Sequence, residues 1–286
     1  MRSLKLMMIT ACPEVALLAE QSGVARIFMD QEVLGKAVRQ GHLDTHKACH
    51  SLVQIAAVAN RLRHAELMVR INPFNPDTPG EVSAAIDHGA QRLMLPMFTS
   101  SCEVQRFQWL VAGRVPVTYL AETPAALIRL GHWLPLLRPG HDEVHIGLND
   151  LSLGLGLGFL FEPLAGGMID AEARMLDEAG ISWGFGGVGC MSGNVLPADW
   201  ILGEHVRLGS HWVILSRAFH GGAESLEELQ RKVDLPVEIQ ALRIAESRWR
   251  RAHEAHLQAN HRRLSERVFE MAEPLLAPMQ QVPLEL

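Results

Sequence analysis

Short apolar runs and stretches of helical spacing alternate along this chain from its first residues. Leu4–Ile9 is apolar enough for a buried strand, and Pro13–Ser22 has helical periodicity with Gly23 as its stop. Arg26–Asp30 (RIFMD) reads as the next strand and is followed by a polar, Gly-containing loop. Asp44 reads as the N-cap of a helix reaching about Arg63. Leu67–Ile71 and Arg92–Pro96 are further strands, with helical patterns over Pro79–His88 and Cys102–Ala112. Val115–Ala121 and Val144–Leu148 supply the fifth and sixth strands. Ile181–Phe185 and Trp212–Ser216 close the series, with helices over Ala171–Ala179 and Pro197–Leu208 between and before them. Eight strands separated by helices, each unit roughly 25 to 35 residues long, is the count of a (β/α)8 TIM barrel. A doubly wound open sheet is the alternative, because periodicity alone does not show closure.

The stretch from Val115 to Ser152 organises the rest. A β-prone run ends in Glu122, a helical segment follows, and a second short run ends in Asn149 and Asp150. Strand, helix and strand at this length form a βαβ unit, so the two strands are parallel and adjacent. Both carboxylates then stand at the carboxyl ends of strands roughly 5 Å apart, which is where parallel α/β folds place their chemistry. Two acids with Asn149 beside them suit a hard divalent cation, Mg²⁺ or Mn²⁺. Each acid also has a plainer reading. Glu122 would cap the helix starting near Thr123, and Asp150 would cap the turn at Leu151–Ser152.

Other strand tips carry polar residues as well. Strand two ends in Asp30, with Glu32 two residues on; strand three carries Arg70 and Asn72; strand eight ends in Ser216 and Arg217. A barrel brings these tips to one face, where acids would hold a cation and Arg70 would pair with a substrate carboxylate. The alternative for Arg70 is a salt bridge to Asp30 or Glu32 that ties strands together. Strand seven runs into Gly184–Gly189 (GFGGVG), whose context is wrong for a dinucleotide fingerprint. Gly186 and Gly187 would instead make room for an anionic group, or belong to a flexible loop. His42, His46 and His50 share one helical face and read as surface histidines rather than a zinc site.

The C-terminal part differs from the barrel. Ser225 opens a capping-box pattern before a short helix that Pro236 should end or kink. From Val237 to about Met271 there is no Gly or Pro, and Leu242, Ala245, Trp249, Ala252, His256 and Ala259 form a weak apolar seam. One helix of that length would run ~50 Å. It reads as an arm reaching a neighbouring subunit in a homo-oligomer, with a solvated helix lying on its own barrel as the alternative. The domain reading is therefore a barrel over residues 1–222 and a helical, oligomerising extension over 223–286.

Composition narrows the function classes. The chain has 286 residues, 48% of them hydrophobic and 20% charged, with net charge −6, so nothing favours nucleic acid as a partner. No apolar run approaches the ~20 residues of a membrane span. Cys12, Cys49, Cys102 and Cys190 lie far apart with no CxxC pair, as in a reducing cytoplasm. No GxSxG elbow or GxxxxGK[ST] loop occurs, which argues against a serine hydrolase and a P-loop NTPase.

The segments RIFMDQE, VRINPF, GAQRLMLPM, AET and HIGLNDLSLGLG fall in order at barrel-strand spacing. Over about Ile27 to Phe219 the chain resembles the HpcH/HpaI aldolase and citrate lyase β-subunit family of the phosphoenolpyruvate/pyruvate-barrel group. That resemblance implies a (β/α)8 barrel that binds Mg²⁺ or Mn²⁺ and forms or cleaves a carbon–carbon bond next to a 2-oxoacid or thioester enolate. It implies Glu122 and Asp150 as metal ligands and Arg70 at the substrate carboxylate or enolate oxygen. Asp30 would lie near a catalytic water, and Asn149, Asp150, Gly186 and Gly187 would line the substrate. Two departures stand out: Val33 occupies the place of a histidine that follows the loop acid in the aldolase branch, and Leu120 that of a Gln. The general base is left open between Glu32, a metal-bound hydroxide, and a histidine of the Gly41–His50 segment or of a neighbouring subunit. The first expectation is a class II aldolase acting on pyruvate or a similar 2-oxoacid with an aldehyde. A CoA-thioester lyase of the citrate lyase β or malyl-CoA type comes second, and a barrel that only binds a metal–oxoacid complex comes third.

Overall fold

The computed structural model describes residues 3–35, 50–191 and 195–276. Eight strands close into a barrel in chain order. They are β1 (Lys5–Ile9), β2 (Arg26–Asp30), β3 (Glu66–Arg70), β4 (Arg92–Leu95), β5 (Val117–Ala121), β6 (Glu143–Ile146), β7 (Ser182–Val188) and β8 (Trp212–Leu215). Every pairing is parallel, and β1 closes onto β8 through Met7 opposite Ile214. All eight expected strands are present.

These strands read as nearly unbroken apolar runs because both of their faces are buried. Outward-facing residues such as Leu6, Ile27, Leu67 and Val213 form the layer between barrel and helices. Inward-facing Met7, Phe28, Met68, Met94, Leu120 and Trp212 fill the barrel itself. The helices start where short polar side chains cap them: Ser51 in a capping box with Gln54, Ser100 accepting from the Glu103 amide, and Thr123 accepting from the Ala126 amide. The helix after β2 is described as Leu52–Arg61 with Ser51 as its cap. Asp44, the expected cap, lies outside the described residues, as do His42 and His46.

Three expectations need correction. The glycine run after Trp183 is not a loop: Gly184, Gly186 and Gly187 lie inside β7, paired with β6 and β8, with a register shift between Gly184 and Gly187. A Cβ at Gly184 would sit 2.2 Å from the Trp212 carbonyl oxygen, so close strand approach requires glycine there. Pro236 does not end a helix. The Ser225-capped helix closes at Lys232, and Pro236 lies in the first turn of the next, where a missing amide hydrogen costs nothing.

The tail, lastly, is not one long arm. It is two helices, Leu235–Arg250 and Glu254–Leu276, and both pack on the barrel's own Ala198–Leu208 helix. The seam holds through Leu242, Ala245 and Trp249 and then changes register. Beyond the break the buried positions are Leu257, Asn260, Leu264, Val268 and Ala272, while His256 is exposed. The first helix also stitches the start of β1, since Glu246 accepts from the Leu4 amide at 2.6 Å and Arg243 donates to the Leu4 carbonyl. Among the described residues no helix is long and apolar enough to cross a membrane.

Candidate active site

The carboxyl ends of the strands form the barrel mouth. β2 and β3 pair in register with Asp30 opposite Arg70, so the side chains of these inward positions meet directly. The Arg70 guanidinium donates through Nε to Asp30 Oδ1 at 2.9 Å and through Nη2 to Asp30 Oδ2 at 2.8 Å. Glu32 Oε2 lies 3.3 Å from the same Nη2. Burial works against the charge on Arg70, but Asp30, Glu32 and Glu122 outweigh it and raise its pKa. Arg70 Nη1 makes no hydrogen bond among the described residues, so one edge of the fork remains to meet a ligand.

Two further side chains set this corner. Asn72 accepts from the amides of Val33 and Leu34 and donates to Glu81, which pins the loop beyond Glu32. His50 packs against the end of β2, its Nδ1 accepting from the Asp30 amide at 3.0 Å and its own amide donating to the Asp30 carbonyl. That bond keeps Nδ1 free of hydrogen, so neutral His50 carries its proton on Nε2.

Glu122 directly follows β5 and is buried. It does not cap the following helix, because Thr123 does, with its hydroxyl also donating to the Phe98 carbonyl. Glu122 Oε1 instead accepts from the Met97 amide at 3.2 Å, and Met97 holds a left-handed φ of 55°, a conformation rare outside glycine. On the other side sits Gly147. A Cβ there would lie 2.7 Å from Glu122 Cβ and 2.9 Å from its Oε2. Glycine at this position lets the chain pass this close to the Glu122 side chain.

Asp150 and Asn149 are not at the tip of β6. That strand ends at Ile146, and both residues belong to the first turn of the helix Leu148–Gly154, whose cap is Gly147. Asp150 is the acidic residue of that first turn, and its charge suits the amino end of a helix. The mouth is completed by Arg217, just beyond β8. Burial pulls its guanidinium pKa down and Arg70 adds to this, while the Asp30 carboxylate opposes both.

Gly186 and Gly187 stand at the same end of β7. Gly186 has φ 49° and its carbonyl faces His145 Nε2 at 3.0 Å. Sequence reasoning missed Met97, Gly147, Asn72 as a loop anchor, and His145. The glycine before the LND triplet stands in the sequence, but its packing on Glu122, like the unusual backbone at Met97, shows only in the fold.

The donor set can be tested against a divalent cation. Among the described residues no three His, Cys, Asp or Glu converge to form a closed metal cage. Mg²⁺ needs no such cage, since it binds through one or two carboxylates with water and substrate oxygens filling the rest. Glu122 at the end of β5, and Asp150 in the turn after β6, fit that pattern.

A parallel barrel with a charged mouth of this kind is a common scaffold for lyases and isomerases, and fold alone does not choose among them. No family model matches the chain, and no curated protein matches it. Among solved structures, the crystal structure of a HpcH/HpaI aldolase/citrate lyase family protein from Burkholderia cenocepacia J2315 is similar, with a TM-score of 0.55. Identity is 16%, and the alignment covers 87% of this chain and 95% of that one. At that identity the likeness establishes a shared barrel fold.

Proposed function

We propose that this protein is a divalent-metal-dependent carbon–carbon lyase of the aldolase kind, acting on pyruvate or a similar 2-oxoacid. The observation that carries the reading is the mouth itself. An arginine held by Asp30 and Glu32 at the carboxyl ends of the strands also feels the charge of Glu122 and keeps one edge of its guanidinium unused among the described residues. The fold shared with a protein of an aldolase/citrate lyase family supports it.

Glu122 and Asp150 would hold Mg²⁺ or Mn²⁺, which when bound supplies Lewis acidity to an oxyacid's keto oxygen. The chain's own residues do the rest. Arg70 binds the substrate carboxylate through its remaining edge, and Asp30 fixes the plane of that guanidinium by occupying the opposite edge. The buried ion pair excludes water and orients the donor before substrate arrives. Glu32 takes the C3 proton: Asp30 binds Arg70 through both of its oxygens, whereas the Glu32 contact to Arg70 is longer, at 3.3 Å. His50, with its proton on Nε2, acts as a hydrogen-bond donor rather than the base.

Proton exchange tests this without knowledge of the acceptor aldehyde. In D₂O with Mn²⁺ or Mg²⁺, the protein should accelerate loss of the pyruvate methyl signal by NMR. Arg70→Lys should slow that loss by about 30- to 1000-fold, the worth of ~2–4 kcal/mol of charge stabilisation. Exchange at the metal-only rate, with exchange of an acyl-CoA thioester instead, would move the assignment to a CoA-thioester lyase. Exchange of neither would leave a binding barrel.

A further inference from the structure

Away from the mouth, the break between the two C-terminal helices opens a concave site of about 520 Å³, within the range of small-molecule pockets. We propose that this cleft binds a small ligand joining a diphosphate to a hydrogen-bonding ring or sugar, in the manner of a nucleoside diphosphate. Its walls carry Arg248, Arg251, His256 and Arg263, with Trp249 and Asn260 also lining it.

Charge is the first argument. Residues 248–263 hold five arginines, three histidines and one glutamate in a chain of net charge −6. Some of that charge is neutralised: Arg248 pairs with Asp199, Arg250 with Glu246, and His261 with Glu204. Arg251 and Arg263 have no carboxylate partner among the described residues, and Arg263 lies over the Trp200 ring at 5.4 Å. A cation–π contact with an indole leaves the guanidinium N–H groups available to phosphate oxygens.

The second argument is a buried acceptor. Asn260 is 3% exposed, and its amide nitrogen donates to the Trp200 carbonyl at 2.9 Å and to Glu204 at 3.3 Å. Its Oδ1 is buried with no partner. An unsatisfied buried acceptor costs about 1–3 kcal/mol, so the cleft asks for a donor as well as an anion. A nucleoside diphosphate offers both, while the indole of Trp249 provides a surface for the ring. A flat basic stripe would suit a nucleic acid; a concave cleft of this size suits a small molecule.

Equilibrium dialysis of the full chain against ADP and, separately, inorganic pyrophosphate tests the proposal. ADP should be retained at one per chain, and pyrophosphate at least tenfold more weakly. Arg251→Glu with Arg263→Glu, both at exposed positions, should lower ADP affinity at least tenfold with an unchanged melting temperature. Ala259→Trp, which fills the cleft without altering charge, should do the same. Arg70→Lys at the mouth should leave ADP binding intact. The proposal fails if ADP is not retained at millimolar concentration, if pyrophosphate binds as tightly, or if Ala259→Trp still binds. It fails too if Arg70→Lys abolishes retention. A changed light-scattering mass in the double variant without ligand would mark the face as a contact between copies, and would also overturn it.

Discussion

Two clusters of charge lie inside the same barrel, at opposite ends of the same strands. Arg26 and Asp30 share β2, and Glu66 and Arg70 share β3, so the floor and the mouth are four residues, or ~13 Å, apart. At the floor, Arg26 lies 2.6 Å from Glu66 and 2.8 Å from Glu143, and Arg92 lies 3.0 Å from Glu66. Two guanidiniums meet two carboxylates, Arg26 stacks on Trp212 at 3.7 Å, and the remaining Arg92 donors go to the Val117 and His141 carbonyls. The mouth gathers Asp30, Glu32, Glu122 and Asp150 against Arg70 and Arg217, four carboxylates to two guanidiniums among the described residues. The Arg26 side chain is 1% exposed and that of Arg70 is 14%. The balanced network reads as a structural plug, whereas the acidic one at the mouth is the one proposed to take a cation and an anionic substrate. The same residue types thus serve two ends, and charge balance with access tells them apart.

The largest expected effect lies at the floor. Arg26→Ala leaves buried Glu143 with only Arg92 at 3.7 Å, and breaking a buried pair in this way costs about 3–5 kcal/mol. Urea unfolding at pH 7 measures it, and a loss below ~1 kcal/mol would remove the distinction between the two ends.

Gly147→Ala probes the mouth by volume alone, because φ −86° and ψ 94° at this position suit alanine. The clash with Glu122 should cost about 1–3 kcal/mol and weaken Mn²⁺ binding together with stability. Should stability fall while Mn²⁺ affinity holds, Glu122 is a packing residue.

His145 lies between floor and mouth on β6 and ties the two to pH. Burial in the barrel lowers its pKa to about 4, the Gly186 carbonyl opposing and Arg26 adding a little. The folded state therefore keeps a neutral ring that the unfolded chain protonates near pH 6.5. Its contribution is present above pH 6.5 and is lost as pH falls towards 4, amounting to about 2 kcal/mol by pH 5. His145→Gln should flatten the urea midpoint between pH 7 and 5 by that amount. His205 and His220, lowered by burial to about 3 and about 4, should leave a residual slope in the same direction.

The smallest effect belongs to the proposed metal ligand. Glu122→Gln should weaken Mn²⁺ binding at least tenfold by calorimetry, about 1.4 kcal/mol, while the metal-free protein stays as stable as before. If affinity is unchanged, the cation is not held at β5.

Much of the barrel was legible because its information is local. Strand positions follow from apolar runs buried on both faces, and Ser225 marks a helix start by accepting the Glu228 amide within its own first turn; the caps at Ser51, Ser100 and Thr123 came only with the fold. The βαβ reading put Glu122 at a strand end for the same reason. Asp150 was misplaced by one element, since nothing local announces that β6 stops at Ile146 and that Gly147 starts a helix.

The chain by itself determined eight strands, their order, and acids with an arginine at one end of them. Barrel closure decided that Arg70 meets Asp30 edge to edge, and that Met97 and Gly147 shape the space around Glu122. It decided the tail as well. With no Gly or Pro to break it, the helical pattern from Val237 onward continues on paper. The fold stops it near Arg251, where the Trp249 indole donates to the Asp199 carbonyl. Leu4 and Glu246, joined by a hydrogen bond, are 242 residues apart. Periodicity reports which face a segment buries; which segment it is buried against depends on where the rest of the chain has already packed.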